Sequence, residues 1–95
     1  MRVTIKLFAR LREIADNNEI ELELPNSKST VRQVLKALIQ QYPPMKQELL
    51  YTQKFELKPI YKLMINDKSI NNTGDMDYPI SDGAIFRFFP PIYGG

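Results

Sequence analysis

Residues 19–24 read Glu-Ile-Glu-Leu-Glu-Leu, three carboxylates alternating strictly with three apolar side chains. Successive side chains of a strand point to opposite faces. The run therefore predicts a strand that buries Ile20, Leu22 and Leu24 on one face and leaves Glu19, Glu21 and Glu23 wet on the other. Pro25 ends it. Upstream, Val3, Ile5 and Leu7 alternate with Thr4, Lys6 and Phe8, predicting a first strand from Val3 to Phe8 in which the aromatic on the second face is an exception. Between the two, Ala9 to Ala15 reads as a loop or short helical turn, and Asp16-Asn17-Asn18 is rich in turn-tolerant residues.

The period then changes. Thr30 and Gln33 match a capping box, in which each side chain satisfies a backbone N–H at a helix start. Val31, Val34, Leu35, Leu38, Ile39 and Tyr42 follow as one apolar helical stripe, stopped at Pro43-Pro44. Met45 to Pro59 reads as a short helix followed by irregular chain. Tyr61, Leu63 and Ile65 resume strand alternation, Asn66-Asp67-Lys68 turns, and a brief strand follows near Ser69 and Ile70. Asn71 to Pro79 reads as a polar loop and Asp82-Gly83 as a turn. Ala84 to Phe89 forms a last strand with Phe86 and Phe88 on one face and Arg87 opposite. The order strand, strand, helix, strand, short strand, strand gives an α+β layer architecture, the first two strands forming a hairpin and the helix crossing the sheet.

Ninety-five residues, 43% of them hydrophobic, make one domain. Cysteine and histidine are both absent, which removes thiol nucleophiles, thiolate and imidazole metal ligands and His-assisted catalysis. The chemistry is expected to belong to a partner. Thirteen basic and eleven acidic residues spread along the chain leave a net charge of +2 and no footprint for nucleic acid. With no apolar leader and no membrane-length apolar run, the expected location is cytoplasmic. Asp75, Asp77 and Asp82 lack the ligand number and spacing of a calcium loop and read as turn carboxylates. Lys54-Phe55, Lys58 and Tyr61-Lys62 interleave basic and aromatic residues, but read as a solvated edge with its aromatics in the core. Gly74 and Gly83 are turn glycines, and Asn71-Asn72-Thr73, a formal glycosylation match, carries no weight.

The end differs. Pro90, Pro91, Ile92, Tyr93, Gly94 and Gly95 follow the last strand: two stiff prolines, two large apolar side chains and a glycine pair. Apolar residues in a segment too short to bury them suggest a surface meant for a partner. Glycine alone lets backbone enter a narrow channel, and six extended residues reach about 20 Å. At the tip the Gly95 carboxylate, a poor electrophile, needs activation as an acyl adenylate before a sulfur donor or a lysine amine can attack it. Residues 1–89 are thus expected to form the folded domain and 90–95 an extended tail.

Ile80-Ser81-Asp82-Gly83, Phe86, Phe88-Phe89-Pro90-Pro91-Ile92 and Gly94-Gly95, with support from Phe8-Ala9-Arg10-Leu11-Arg12-Glu13, resemble the ubiquitin-like β-grasp sulfur carriers. The likeness is strongest to the small subunit of molybdopterin synthase. This resemblance implies a β-grasp with a mixed sheet of four to five strands and one main helix packed across it. It implies no activity of the chain by itself and no permanently bound cofactor or metal, ATP being used by an E1-like adenylating partner. Gly95, with Gly94 beside it, would become a thiocarboxylate through a sulfur donor. The tail would then enter the large synthase subunit to donate sulfur in molybdopterin synthesis, with Phe89 and Pro90 to Tyr93 anchoring the interface. Two alternatives stand beside this: a modifier conjugated to target-protein lysines or a carrier for tRNA thiolation, and a noncovalent interaction domain. Ala84-Ile85, where the family often has an acidic residue, and the long Met45 to Pro59 segment depart from the pattern.

Overall fold

The computed structural model describes residues 1–50, 55–59, 61–70 and 74–89. Its elements run β1 (Arg2–Lys6), α1 (Ala9–Ala15), β2 (Glu19–Glu23), β3 (Lys28–Thr30), α2 (Val31–Gln41), α3 (Met45–Leu49), β4 (Lys62–Ile65), β5 (Lys68–Ile70), β6 (Pro79–Ser81) and β7 (Ile85–Phe89). A five-stranded sheet has the order β2-β1-β7-β4-β5, and β3 and β6 form a separate two-stranded sheet. β1 and β7 are parallel while the other neighbours are antiparallel, so the large sheet is mixed, and with the helices it makes a ubiquitin-like β-grasp.

Alternation decides the faces. Val3, Ile5, Ile20, Leu22, Leu63, Ile65, Phe86 and Phe88 are all buried, and they meet Val31, Val34, Leu35 and Leu38 of α2 in one core. Ile39 and Tyr42, at the end of the helical stripe, are half-buried at its margin. The capping box forms in full: Thr30 Oγ1 accepts the Gln33 N–H, and Gln33 Oε1 accepts the Thr30 N–H at 3.0 Å and the Ser29 hydroxyl at 2.9 Å.

Several boundaries differ from the sequence reading. β1 stops at Lys6 because Phe8, still extended, becomes the N-cap of α1, its carbonyl accepting the N–H groups of Leu11 and Arg12. β1 and β2 pair antiparallel as expected, and the Ala9 to Ala15 stretch between them is the helix α1. Residues 28–30 and 79–81 were not foreseen as strands, and Pro79 does not close a polar loop. It opens β6 opposite Thr30, while Met76 is buried. This second sheet serves α2, whose first donors, Val31 and Arg32 N–H, bond to the carbonyls of Tyr78 and Met76.

After α3, a bridge between Leu50 and Leu57 draws both into the core, beside Met45 and Leu49. Leu50 and Leu57 are thus core residues, too widely spaced to reveal this by period. Tyr61 is buried with its hydroxyl donating to Glu48 Oε1 at 2.8 Å, and half-buried Phe55 has the cations of Arg32 and Lys36 over its ring. Lys54 and residues 71–73 lie outside the described residues. No described helix is long and apolar enough to cross a membrane.

Candidate partner-docking site at the end of the last strand

β7 is the central strand that leads toward the tail. Its even residues, Phe86 and Phe88, are sealed in the core; Ile85, Arg87 and Phe89 fall on the opposite, open face. Register places Arg87 between Lys6 of β1 and Met64 of β4, and Phe89 opposite Lys62. The open face thus combines apolar area with cations where the described chain stops. Arg87 reaches the Asn66 carbonyl at 3.5 Å, and Lys6 lies 3.8 Å from Glu19.

Phe89 does not stand alone. Its ring stacks on Phe8, centroids 5.5 Å apart and planes inclined by 14°. Phe8 is 37% exposed, the one exposed large apolar side chain among the described residues. The turn from β1 into α1 explains why it is there. Extended backbone at the N-cap carries Phe8 past the strand, and Leu11 of the same helix is fully buried, pinning the turn. Two aromatic rings, one from each end of the chain, make a platform on the surface. Phe89 is therefore a half-buried residue shared between fold and surface.

The sequence reading named Phe89 as a partner anchor, and Phe8 as an exception in the first strand. The signal was present: a large aromatic in the polar register of β1. The other anchors, Pro90, Pro91, Ile92 and Tyr93, and the reactive pair Gly94 and Gly95, lie outside the described residues.

On the opposite end of β7, the Asp82-Gly83 turn is a latch on β1. Asp82 Oδ1 accepts the Arg2 N–H at 2.7 Å, and Gly83, at φ +85°, donates its N–H to the Arg2 carbonyl at 2.8 Å. Glu23, by hydrogen bond and charge, then Glu21 and Asp82 hold the Arg2 guanidinium above its ordinary pKa. Asp77 lies 3.5 Å from Arg32, and the Asp75 carbonyl accepts the Tyr78 N–H. The Asp82 and Asp77 side chains thus meet Arg2 and Arg32, and no group of three or more metal-ligating side chains gathers among the described residues.

The model of the ThiS family matches residues 5–95. The chain belongs to the ThiS family. No curated protein sequence matches it. Among solved structures, this ThiS-family chain is similar to SAMP1 from Haloferax volcanii, 23% identical with a TM-score of 0.83 and all of both chains covered, a likeness of fold. The small archaeal modifier protein 1 (SAMP1) from Methanosarcina acetivorans is 28% identical, with a TM-score of 0.76, covering 99% of this chain and 96% of that one. A putative molybdopterin converting factor, subunit 1, from Pyrococcus furiosus is 25% identical, with a TM-score of 0.74 and coverage of 96% and 98%. The general function of this ThiS-family chain is that of a sulfur carrier or ubiquitin-like modifier.

Proposed function

We propose that the chain is an acyl-activated carrier with a folded body, residues 1–89, and a working tail, residues 90–95. The Gly95 carboxylate attacks the α-phosphorus of ATP on an E1-like partner, pyrophosphate leaves, and a glycyl adenylate remains. Sulfide supplied by a sulfur donor, or a lysine amine, then attacks the carbonyl carbon, AMP departs and the nucleophile loses its proton, giving a thiocarboxylate or an isopeptide. The observation that carries this reading is the ThiS match to residues 5–95, which takes in Gly94-Gly95 together with the strand leading to them. The Phe8–Phe89 platform, with Lys62 and Arg87 beside it, is the surface on which the partners dock, and Pro90 to Tyr93 extend it.

The modifier outlet is favoured by the likeness to the Methanosarcina modifier protein; a sulfur-carrier role in tRNA thiolation stands beside it. Sulfur donation to a pterin precursor, through the large subunit of molybdopterin synthase, is the second reading. It is favoured by the likeness to the Pyrococcus converting-factor subunit and by Pro90-Pro91.

Mass spectrometry of N-terminally tagged protein from its own cells separates the outlets. One oxygen replaced by sulfur on Gly95 identifies a sulfur carrier. A Phe88 to Gly95 remnant on lysines of other proteins, left by trypsin cleavage after Arg87, identifies a modifier. A plain carboxylate with neither product, in cells expressing the activating enzyme, overturns the carrier reading. Gly95→Ala is expected to impair activation while leaving the melting temperature unchanged.

A further inference from the structure

β2 closes one side of the large sheet, and among the described residues no strand pairs with its outer edge. Met1 and Leu24 exchange main-chain hydrogen bonds, each 2.8 Å, and Leu7 donates to the Asn18 carbonyl at 2.9 Å. Bonded and non-bonded pairs alternate along an antiparallel ladder. With Val3 opposite Leu22 and Ile5 opposite Ile20, the even residues of β2 turn their main-chain groups toward β1. Glu19, Glu21 and Glu23 turn theirs outward. Asn17 Oδ1 approaches the Glu19 N–H at 3.5 Å, while the N–H groups of Glu21 and Glu23 have no partner among the described residues.

Beside this edge, between β2 and α2, runs a groove of about 340 Å³ whose walls include Leu24, Ala37 and Gln40. It continues past Leu22 in a second hollow. A row of unpaired donors and acceptors beside a partly apolar groove is a template for another strand.

We propose that the outer edge of β2 binds an extended segment of a partner protein as a sixth strand, with basic residues on its open-face side alternating with apolar residues on its groove side. Charge selects the occupant. The three glutamates share two cations, Arg2 and Lys6, and their side chains remain 54 to 64% exposed. A second copy is disfavoured, because antiparallel β2-to-β2 pairing sets Glu21 against Glu21 and Glu19 against Glu23, and like charges directly opposite repel. Lysine or arginine at those positions is attracted instead. β1 separates this edge from β7, so a strand held here leaves the aromatic platform open.

The test is an NMR titration of the full-length, nitrogen-15-labelled chain with a capped heptapeptide, Lys-Val-Lys-Val-Lys-Val-Lys. The amides of Glu19, Glu21 and Glu23 are expected to shift saturably and exchange about tenfold more slowly, those of Ile20 and Leu22 changing little. Glu21→Lys should weaken binding about tenfold by turning an attractive cross-strand pair into a repulsive one. A Glu-Val peptide of equal length should leave these amides unmoved. No saturable response at millimolar peptide, a response centred on Phe8 and Phe89, or undiminished binding by Glu21→Lys would overturn the proposal. So would protection of these amides that rises with protein concentration alone, since the occupant would then be a second copy.

Discussion

Replacing Phe8 by alanine tests whether the surface aromatic pair is a built feature. A phenylalanine buries about 200 Å² when covered. With 37% of Phe8 still in water, about 125 Å² is shielded, worth about 3 kcal/mol at about 25 cal/mol per Å². The unfolded chain already hides part of that surface and alanine retains its Cβ, so a loss of about 1.5 kcal/mol is expected. Phe89→Ala should cost a similar amount, since its ring is half-buried and shares the stack. A stacked pair contributes about 0.5–1.5 kcal/mol beyond area, so the double variant should lose about 1 kcal/mol less than the sum of the singles. Urea denaturation of the four chains measures this coupling. A coupling indistinguishable from zero would refute the stack and remove the geometric basis of the platform. If the stack is real and the platform docks the activating enzyme, both single variants should also slow adenylation at a temperature where they remain folded.

Gly83→Ala should destabilise by about 1 kcal/mol through backbone conformation, because φ is +85° and a Cβ there meets nothing within 4 Å. Its melting temperature should fall by about 4–8 °C, with Gly83→Asn falling less. Gln33→Ala strands the Thr30 N–H and the Ser29 hydroxyl together, for an expected cost of about 1–2 kcal/mol in the same denaturation assay. Gln33→Glu keeps an acceptor for both donors and places a negative charge at the start of α2, so it should match or exceed the parent. Arg2 has its pKa raised, first by Glu23 and then by Glu21 and Asp82. A base with a raised folded pKa contributes fully below its unfolded value and loses that contribution only as pH climbs through the folded one. The small stability difference of Arg2→Gln should thus be flat from about pH 6 to about pH 9. It should shrink in about 1 M salt, and a difference that changes across that pH range would show the ion pairs are not its source.

What could be read in advance followed from length and period. The five alternating residues of β2, the three-turn stripe of α2 and the aromatic pair inside β7 each repeat often enough to declare a face. β3 and β6 have three residues each, too few to show a period, and Pro79 disguised one of them. Leu50 and Leu57 meet in an isolated bridge, a contact between residues that no local pattern links. For the candidate site, Phe89 was legible as the last residue of an aromatic strand. Phe8 was visible as an anomaly, but its meaning depended on β1 and β7 lying side by side, which is topology and not spacing.

The parallel pairing of β1 with β7 also governs when this molecule can exist at all. Of the described strands, the first along the chain has for its inner neighbour the last, and β4 likewise joins the sheet through β7. A nascent chain lacking residues 85–89 holds only the β1–β2, β3–β6 and β4–β5 pairs and the helices, without Phe86 and Phe88 to unite them. Closing the sheet across nearly the whole sequence is a high-contact-order event, slow and necessarily late. A chain truncated before β7 is therefore expected to lack an assembled core and to be open to proteolysis, so that a finished sheet marks a chain in which β7 has been made.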